Sequence, residues 1–223
     1  NQPIQPLFYA NVSTANEPAR AVVFRGGTYE TLSTFDPVIP APVNDYLTQT
    51  EESTLEQPGW HPAIPLSLQN IGDQSSLVLQ MGQYNPGEQE SRLYNTLQMD
   101  LYYSLSTDQK PPTVTTVAAL LTPAAGQISF KVGAVDDSGI QRVVVAYTDG
   151  EGSWHSTDLS FNATTYKWIG SLSGSTTMQY FVQIVDGAGN VAQVPDKAYY
   201  FTPVVSTRQS TTTYFSYLPL VLR

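Results

Sequence analysis

Four oxygen-bearing side chains in two glycine-containing turns could bind a cation. Asp136 and Asp137 stand in the stretch Val-Asp-Asp-Ser-Gly, and Asp186 and Asn190 enclose the stretch Asp-Gly-Ala-Gly-Asn. Carboxylate and amide oxygens are the ligands that Ca²⁺ prefers, and a β-sandwich can bring two such turns together. An Asp in a turn also accepts hydrogen bonds from its own backbone, which requires no metal. The sequence therefore leaves a calcium site and simple turn capping as two open interpretations.

Two tryptophans could contact a ligand. Trp60 lies in the stretch Pro-Gly-Trp-His-Pro, and Trp154 lies in Glu-Gly-Ser-Trp-His. An exposed indole ring can stack on a sugar, whereas a buried one is a large apolar anchor. We interpret Trp60 as an anchor that closes a hydrophobic end of the fold, and ligand binding by Trp60 and Trp154 is the alternative. We expect Trp168 to lie in the core.

Residue types typical of catalysis are sparse. The chain has two histidines, His61 and His155, and no cysteine. A serine nucleophile in a strand–turn–helix elbow needs the pattern Gly-x-Ser-x-Gly, and Gly170 to Gly174 has Leu172 at the central position. Histidine spacing typical of zinc sites is also missing. We therefore expect no catalytic residues and no enzyme activity in this chain, and calcium is the only cofactor that the residues suggest.

The charge distribution argues against some classes of partner. The net charge is −9, and all of it falls on residues 1–108, which carry 12 acidic and 3 basic residues. Nucleic-acid binding needs a basic surface that neutralises phosphates, so we expect no nucleic-acid partner. No run reaches the roughly 18 apolar residues that would span a membrane. The acidic composition, poor in Lys and Arg and rich in Ser, Thr and Tyr, suggests a secreted or cell-surface bacterial protein.

Alternating apolar residues predict the elements that carry these side chains. Seven strands are expected between residues 113 and 203 from the period of two and the turn residues between them. They are Thr113 to Leu121, Gln127 to Val135, Ile140 to Thr148, Trp154 to Phe161, Tyr166 to Ser171, Met178 to Asp186 and Lys197 to Thr202. In the first half we expect strands at Ala19 to Arg25, Leu66 to Asn70, Ser76 to Gly82 and Leu93 to Leu105, with Gly26-Gly27 as a hairpin turn into a further strand, Thr28 to Phe35.

These elements predict an all-β fold of two tandem β-sandwich, Ig-like domains with an extended C-terminal tail. The first domain spans residues 1–108 and has long proline-rich loops, such as 36–44. The stiff Pro111-Pro112 pair marks the junction. The second domain spans residues 109–204, and residues 205–223 form a Ser/Thr-rich spacer and an apolar terminal strand. We expect Tyr214 to Leu222 to run extended along a sheet edge or across the domain junction.

Two parts of the chain resemble known families. Residues 112–203, with the motifs Val-Asp-Asp-Ser-Gly-Ile-Gln-Arg-Val-Val-Val, Tyr-Lys-Trp-Ile-Gly and Tyr-Phe-Val-Gln-Ile-Val-Asp-Gly-Ala-Gly-Asn-Val-Ala, resemble bacterial immunoglobulin-like, fibronectin-type-III-like modules of secreted proteins. Residues 58–105, with Gly-Gln-Tyr-Asn-Pro and Arg-Leu-Tyr-Asn-Thr-Leu-Gln-Met-Asp-Leu-Tyr-Tyr-Ser, resemble the propeptide-type β domains of gingipain-like secreted peptidases.

These resemblances imply a non-catalytic C-terminal region of a larger secreted or cell-surface protein, with a peptidase as one candidate for that protein. The region would act as a spacer, a stabilising unit or a protein-binding module. Its partners would be other domains of the parent protein, or an extracellular protein or glycan. The alternative function is a pair of carbohydrate-binding modules that use exposed aromatic side chains.

Overall fold

The computed structural model describes residues 5–15, 17–33, 59–71, 74–197 and 199–206, and the regular elements in these ranges are strands apart from one short 3-10 helix, Pro123–Ala125. The strands are β1 (Leu7–Asn11), β2 (Ala19–Leu32), β3 (Leu66–Ile71), β4 (Gln74–Gln80), β5 (Gly82–Asn85), β6 (Glu90–Tyr103), β7 (Thr113–Thr122), β8 (Gln127–Val135), β9 (Ile140–Thr148), β10 (Ser153–Asp158), β11 (Ser160–Asn162), β12 (Lys167–Ser173), β13 (Gln179–Asp186), β14 (Val191–Val194) and β15 (Val204–Val205). The all-β prediction is confirmed.

The strands form three sheets. A three-stranded sheet has the order β1-β4-β3, a seven-stranded sheet has the order β14-β13-β9-β10-β2-β6-β5, and a five-stranded sheet has the order β11-β12-β8-β7-β15. Neighbouring strands are antiparallel, except that β15 pairs with β7 in parallel. The seven-stranded sheet contains strands from both halves of the chain.

The second half encloses a core between the five-stranded sheet and strands β9 and β13. Alternate residues of each strand point into this core, because successive side chains of a strand point to opposite faces. Its buried residues are Ala119, Leu121, Ile128, Phe130, Val132, Val143, Val145, Leu159, Met178, Tyr180, Val182 and Ile184. Each fully buried Val, Ile or Phe side chain stabilises the fold by about 1.5–3 kcal/mol.

Strand β13 is buried on both faces, which places it at the centre of the molecule. Phe181 and Val185 point away from the core just described and pack against β2. Phe181 stacks on Phe24 with ring centroids 6.0 Å apart, and Val185 clusters with Val23. Strands β9 and β13 therefore lie between the five-stranded sheet on one side and β2 on the other.

The prediction of a hairpin turn at Gly26-Gly27 is wrong, because β2 runs through both glycines as one strand. Gly26 has φ +147°, a conformation that side chains rarely adopt, and a Cβ there would collide with the carbonyl oxygen of Trp154. A Cβ at Gly27 would collide with the carbonyl oxygen of Thr96. The glycines therefore allow β10 and β6 to approach β2 closely from its two sides.

The pairing of β10 with β2 joins the two halves. Ser153 pairs with Thr28, and Trp154 pairs with Gly27. A second core combines residues of both halves, namely Val22, Phe24, Tyr29, Trp60, Leu66, Leu77, Tyr94, Ala146, Trp154, Phe181 and Tyr200. The division at residue 108 into two tandem sandwiches stays a prediction, and the structure adds that a sheet and a core cross that boundary.

Only the start of the predicted tail falls within the described residues. Val204 and Val205 pair with Leu120 and Leu121 of β7, and the Ser206 N–H donates to the Leu121 carbonyl oxygen at 2.8 Å. The predicted proline-rich loop 36–44 and the predicted terminal strand Tyr214 to Leu222 lie outside the described residues.

Candidate functional site

The two predicted aspartate turns meet in the structure. Strand β13 ends at Asp186, and β8 ends at Val135, just before Asp136. Their carboxylates lie together with that of Asp108, and one oxygen of each of the three lies within 4.8 Å of the others. Asp137 is exposed and is not part of this group. Two of the four residues predicted for calcium, Asp136 and Asp186, are therefore brought together with a third carboxylate.

The same side chains cap their turns. Asp186 Oδ1 accepts hydrogen bonds from the backbone N–H groups of Ala188 at 2.9 Å and Asn190 at 2.8 Å. Asp186 Oδ2 accepts a hydrogen bond from Asn190 Nδ2 at 2.8 Å. Asp136 Oδ1 accepts from the backbone N–H and the hydroxyl of Ser138. These contacts are the ones that the turn-capping interpretation requires.

The spacing of the three carboxylates also suits a cation. Oxygens that bind one Ca²⁺ at 2.3–2.6 Å can be up to about 5 Å apart, and 4.8 Å is within that limit. Asn190 Nδ2 donates to the carbonyl oxygens of Asp108 and Lys110 at 3.3 and 3.2 Å, which holds the linker against the turn. Turn capping and calcium binding are compatible with this geometry, and calcium stays a prediction.

Sequence reasoning missed Asp108, since it lies in the presumed linker and no turn motif marks it. An open, mainly polar cleft adjoins the cluster and is lined by both halves, including Arg20, Asn70, Gln109 and Asn190. Asn190 lines the cleft and donates a hydrogen bond to Asp186 of the cluster.

Both tryptophans predicted as ligand contacts are buried. Trp60 is 2% exposed and Trp154 is 3% exposed, and both belong to the core shared by the two halves. Trp154 packs edge-on against Phe24 and Tyr200, with ring centroids 5.9 and 4.7 Å apart. Neither indole has a free face for a sugar, which corrects the ligand-binding alternative for Trp60 and Trp154 and agrees with the anchor interpretation of Trp60.

Exposed aromatic rings lie instead on the β11–β12 hairpin. Phe161 is 52% exposed and Tyr166 is 77% exposed. Their ring planes are 71° apart, and Phe161 and Trp168 are tilted by 56°. Trp168 packs against the core of the second half but is only partly buried, so the prediction that it lies in the core is only partly correct. The three rings are clustered but do not form a flat platform.

A buried polar network lies beside Trp60. Gln83 is fully buried, and its Nε2 donates to the carbonyl oxygens of Pro62 and Ala63 at 2.7 and 3.2 Å. Its Oε1 accepts a hydrogen bond from Tyr94 at 2.7 Å, and Tyr200 donates to the Ala63 carbonyl oxygen at 2.6 Å. Burial raises the pKa of Tyr94 and of Tyr200, so both phenols stay neutral hydrogen-bond donors.

A cation is buried next to this network. The Arg92 guanidinium carbon lies 3.7 Å from the centroid of the Trp60 ring and 4.8 Å from that of Tyr29. Arg92 Nε and Nη1 are buried and have no hydrogen-bond partner among the described residues. The Glu90 carboxylate, whose Oε1 lies 3.9 Å from Arg92 Nε, and the negative potential of the ring faces compensate the charge. Arg92 therefore holds Trp60 in place.

The junction of the halves also carries an ion network across strands β6, β2, β10 and β9. Arg25 Nη1 lies 3.0 Å from Asp158 Oδ2, and Arg142 Nη1 lies 2.8 Å from Asp100 Oδ2. Arg142 also pairs with Asp158 through Nε and Nη2. The hydrogen bonds from Arg142 lower the pKa of Asp158, and burial opposes them. The bond to Asp158 raises the pKa of Arg142.

The histidines occupy separate surroundings. His61 is buried, and its backbone pairs with Tyr84. His155 is exposed on β10, where its Nε2 lies 3.0 Å from Ser153 Oγ. Residues two apart on a strand share a face, which accounts for that contact. The expectation of a non-catalytic chain stays a prediction.

Comparisons with known proteins give no family assignment. The chain matches no protein-family model, and neither curated proteins nor solved structures show a significant similarity to it. Within the described ranges, no helix has the length and apolar character needed to cross a membrane.

Proposed function

We propose that this chain is a rigid, non-catalytic β module of a larger secreted or cell-surface bacterial protein, in which it acts as a spacer, a stabilising unit or a protein-binding module. The observation that carries the proposal is the seven-stranded sheet that passes from one half of the chain to the other through β2 and β10. Domains joined only by a linker rotate against each other. A shared sheet opposes that rotation.

Buried contacts at the junction support rigidity. Gln183 is fully buried in β13, and its amide makes two hydrogen bonds of 2.8 Å with the backbone N–H and carbonyl oxygen of Phe24 in β2. Trp154 and Phe181 of the second half share a core with Phe24 and Trp60 of the first. Separation of the halves would expose this apolar surface, which is unfavourable in water.

We further infer that residues 112–203 form an Ig-like sandwich and that residues 1–108 form a second sandwich joined to it. The five-stranded sheet that faces β9 and β13 across a closed core supports the first assignment. The proposal that the parent protein is a peptidase rests on the resemblance of residues 58–105 alone. Other domains of that parent are the expected partners.

Distance measurements between spin labels test the rigid-module proposal. Because the chain has no cysteine, the double variant Ser67→Cys with Ser171→Cys places one label on β3 and one on β12, at exposed positions. The control pair, Thr122→Cys with Ser171→Cys, lies within the five-stranded sheet. We expect distance distributions of similar width. A much broader distribution for the first pair would mean that the halves move independently.

The alternative is carbohydrate binding by the exposed rings of the β11–β12 hairpin. Its support is the exposure of Phe161 and Tyr166, and the steep angle between their planes counts against stacking on a flat sugar face. Binding to a glycan array that is lost in Tyr166→Ala but kept in the exposed control Tyr199→Ala would favour this function. Absence of binding would count against carbohydrate binding and leave the rigid module as the proposed function.

A further inference from the structure

Among the described residues, strand β1 is an edge strand of its sheet. It pairs with β4 on one side, and no described residue pairs with it on the other. All five of its residues are exposed. The Val12 N–H donates to the Ser75 carbonyl oxygen, and the Pro6 carbonyl oxygen accepts from the Met81 N–H, so even-numbered residues bond to β4. Antiparallel pairs alternate, so the backbone groups of Leu7, Tyr9 and Asn11 point outward.

The sheet that contains β1 is uncharged and exposes apolar side chains. None of the residues of β1, β3 and β4 is acidic or basic, although residues 1–108 carry 12 acidic side chains. Leu7, Phe8 and Tyr9 are 46%, 58% and 62% exposed. Interface cores are depleted in charge and enriched in aromatic residues, and an open, uncharged edge is a template for an added strand.

We propose that β1 pairs antiparallel with β1 of a second copy of this chain, with the two-fold axis at Tyr9. The outward backbone groups of Tyr9 then exchange hydrogen bonds with their equivalents, and Leu7 lies opposite Asn11 of the second copy. Phe8 lies opposite Ala10, so a large side chain meets a small one on each side of the axis. The two three-stranded sheets become one sheet of six strands.

Self-pairing fits this edge better than pairing with a foreign strand. A two-fold contact requires that the strand fits its own reversed order, and in this register each Phe8 lies opposite the small Ala10 of the other copy. Each copy carries a net charge of −9, which opposes association of most surfaces, whereas the uncharged sheet places no like charges opposite each other. This inference is independent of the proposed spacer function.

Sedimentation of the intact chain over a concentration series tests the proposal. We expect a reversible species of twice the 24.4 kDa chain mass. Tyr9→Pro removes the outward N–H, a loss that an edge strand tolerates, together with the phenol ring, and should raise the dissociation constant about tenfold or more. The control Tyr9→Ala also loses the ring but keeps that N–H, so its dissociation constant should stay well below that of Tyr9→Pro. If the wild type stays monomeric, as it would if β1 instead paired with a strand of another protein, the proposal is overturned.

Disulfide trapping tests the register without relying on the proline variant. In the proposed pair, the two Tyr9 Cα atoms are about 5.5 Å apart, within the disulfide range of about 4.4–6.8 Å. The two Leu7 Cα atoms would be about 14 Å apart, since four residues separate them along the strands. Oxidised Tyr9→Cys should therefore form covalent dimers and Leu7→Cys should not. Equal cross-linking of the two variants, or none in Tyr9→Cys, would overturn the proposal.

Discussion

At the scale of single residues, Gln183 shows how a polar side chain can join two layers. Its amide offers one acceptor and one donor, and Phe24 in β2 supplies the complementary backbone pair, each bond being 2.8 Å long. Gln183 and Phe24 are both fully buried. Burying a polar group is costly unless the group is hydrogen-bonded. These two hydrogen bonds therefore fix the position of β2 relative to β13.

Replacing Gln183 with leucine should lower the free energy of unfolding by about 2–5 kcal/mol, because two buried backbone groups lose their partners. The control is Gln193→Leu, since Gln193 lies opposite Gln183 in register but on the exposed part of β14. Urea denaturation of both variants measures the difference. Equal small losses in the two variants would show that the Gln183 bonds do not hold β2 in place.

The burial of single aromatic residues was only partly predictable. Trp60 was interpreted correctly as an anchor because prolines and an apolar ring commonly close a core. Trp154 is buried because β2 covers it, and a contact between residues so far apart in sequence leaves no local pattern. Trp168 is only partly buried because β12 is next to the edge strand β11, where the core ends.

At the scale of elements, the aspartate turns allow a test of the calcium prediction. If Asp108, Asp136 and Asp186 bind one Ca²⁺, excess calcium should raise the melting temperature relative to excess chelator, because a ligand that binds only the folded state stabilises it. Asp136→Asn should remove that shift, whereas the exposed neighbour Asp137→Asn should keep it. Equal melting temperatures of the wild type in calcium and in chelator would leave turn capping as the only role.

The ion network should make the junction sensitive to acid. The folded-state pKa of Asp158 is lowered, so its contribution is present above its unfolded pKa of about 4 and is lost as the pH falls through the folded value. Asp158→Asn should therefore cost up to about 1 kcal/mol at pH 7, since the group is partly exposed. The cost should be smaller near pH 2 than at pH 7.

Denaturation of Asp158→Asn at both pH values measures this effect, with the exposed variant Glu88→Gln as the control. A cost that is the same at pH 7 and near pH 2 would show that Asp158 acts through packing or through hydrogen bonds that the amide retains. The ion pairs with Arg25 and Arg142 would then contribute nothing measurable at the junction.

Most strands of the second half were predicted closely because alternation and turn residues mark them, whereas the strand predicted at Lys197 to Thr202 is wrong, since the described residues there form only isolated bridges. Gln127–Val135 and Ile140–Thr148 have the predicted bounds. β14 and β1 were not predicted, because Val191–Val194 and Leu7–Asn11 are short. The turn at Gly26-Gly27 was predicted wrongly because glycine occurs both in turns and where two backbones approach closely. Only the positions of the neighbouring strands show which of these two roles the glycines have.

At the scale of the whole molecule, the central feature is the sheet shared by both halves. Asp136 and Asp186 could be expected to meet because they lie at the ends of strands of one sandwich. Asp108 and the pairing of β2 with β10 could not be foreseen, since both depend on how the halves dock. Local periodicity carries no information on such docking, whereas the buried contacts at the junction determine it.

Calorimetry of the intact chain tests most directly the claim that the two halves form one unit. A shared sheet and a shared core couple their unfolding, so we expect one transition in which the calorimetric and van't Hoff enthalpies agree. Two transitions, or a calorimetric enthalpy about twice the van't Hoff value, would mean that the halves unfold separately. That result would contradict the proposal of a rigid module and would show that the chain consists of two independent domains.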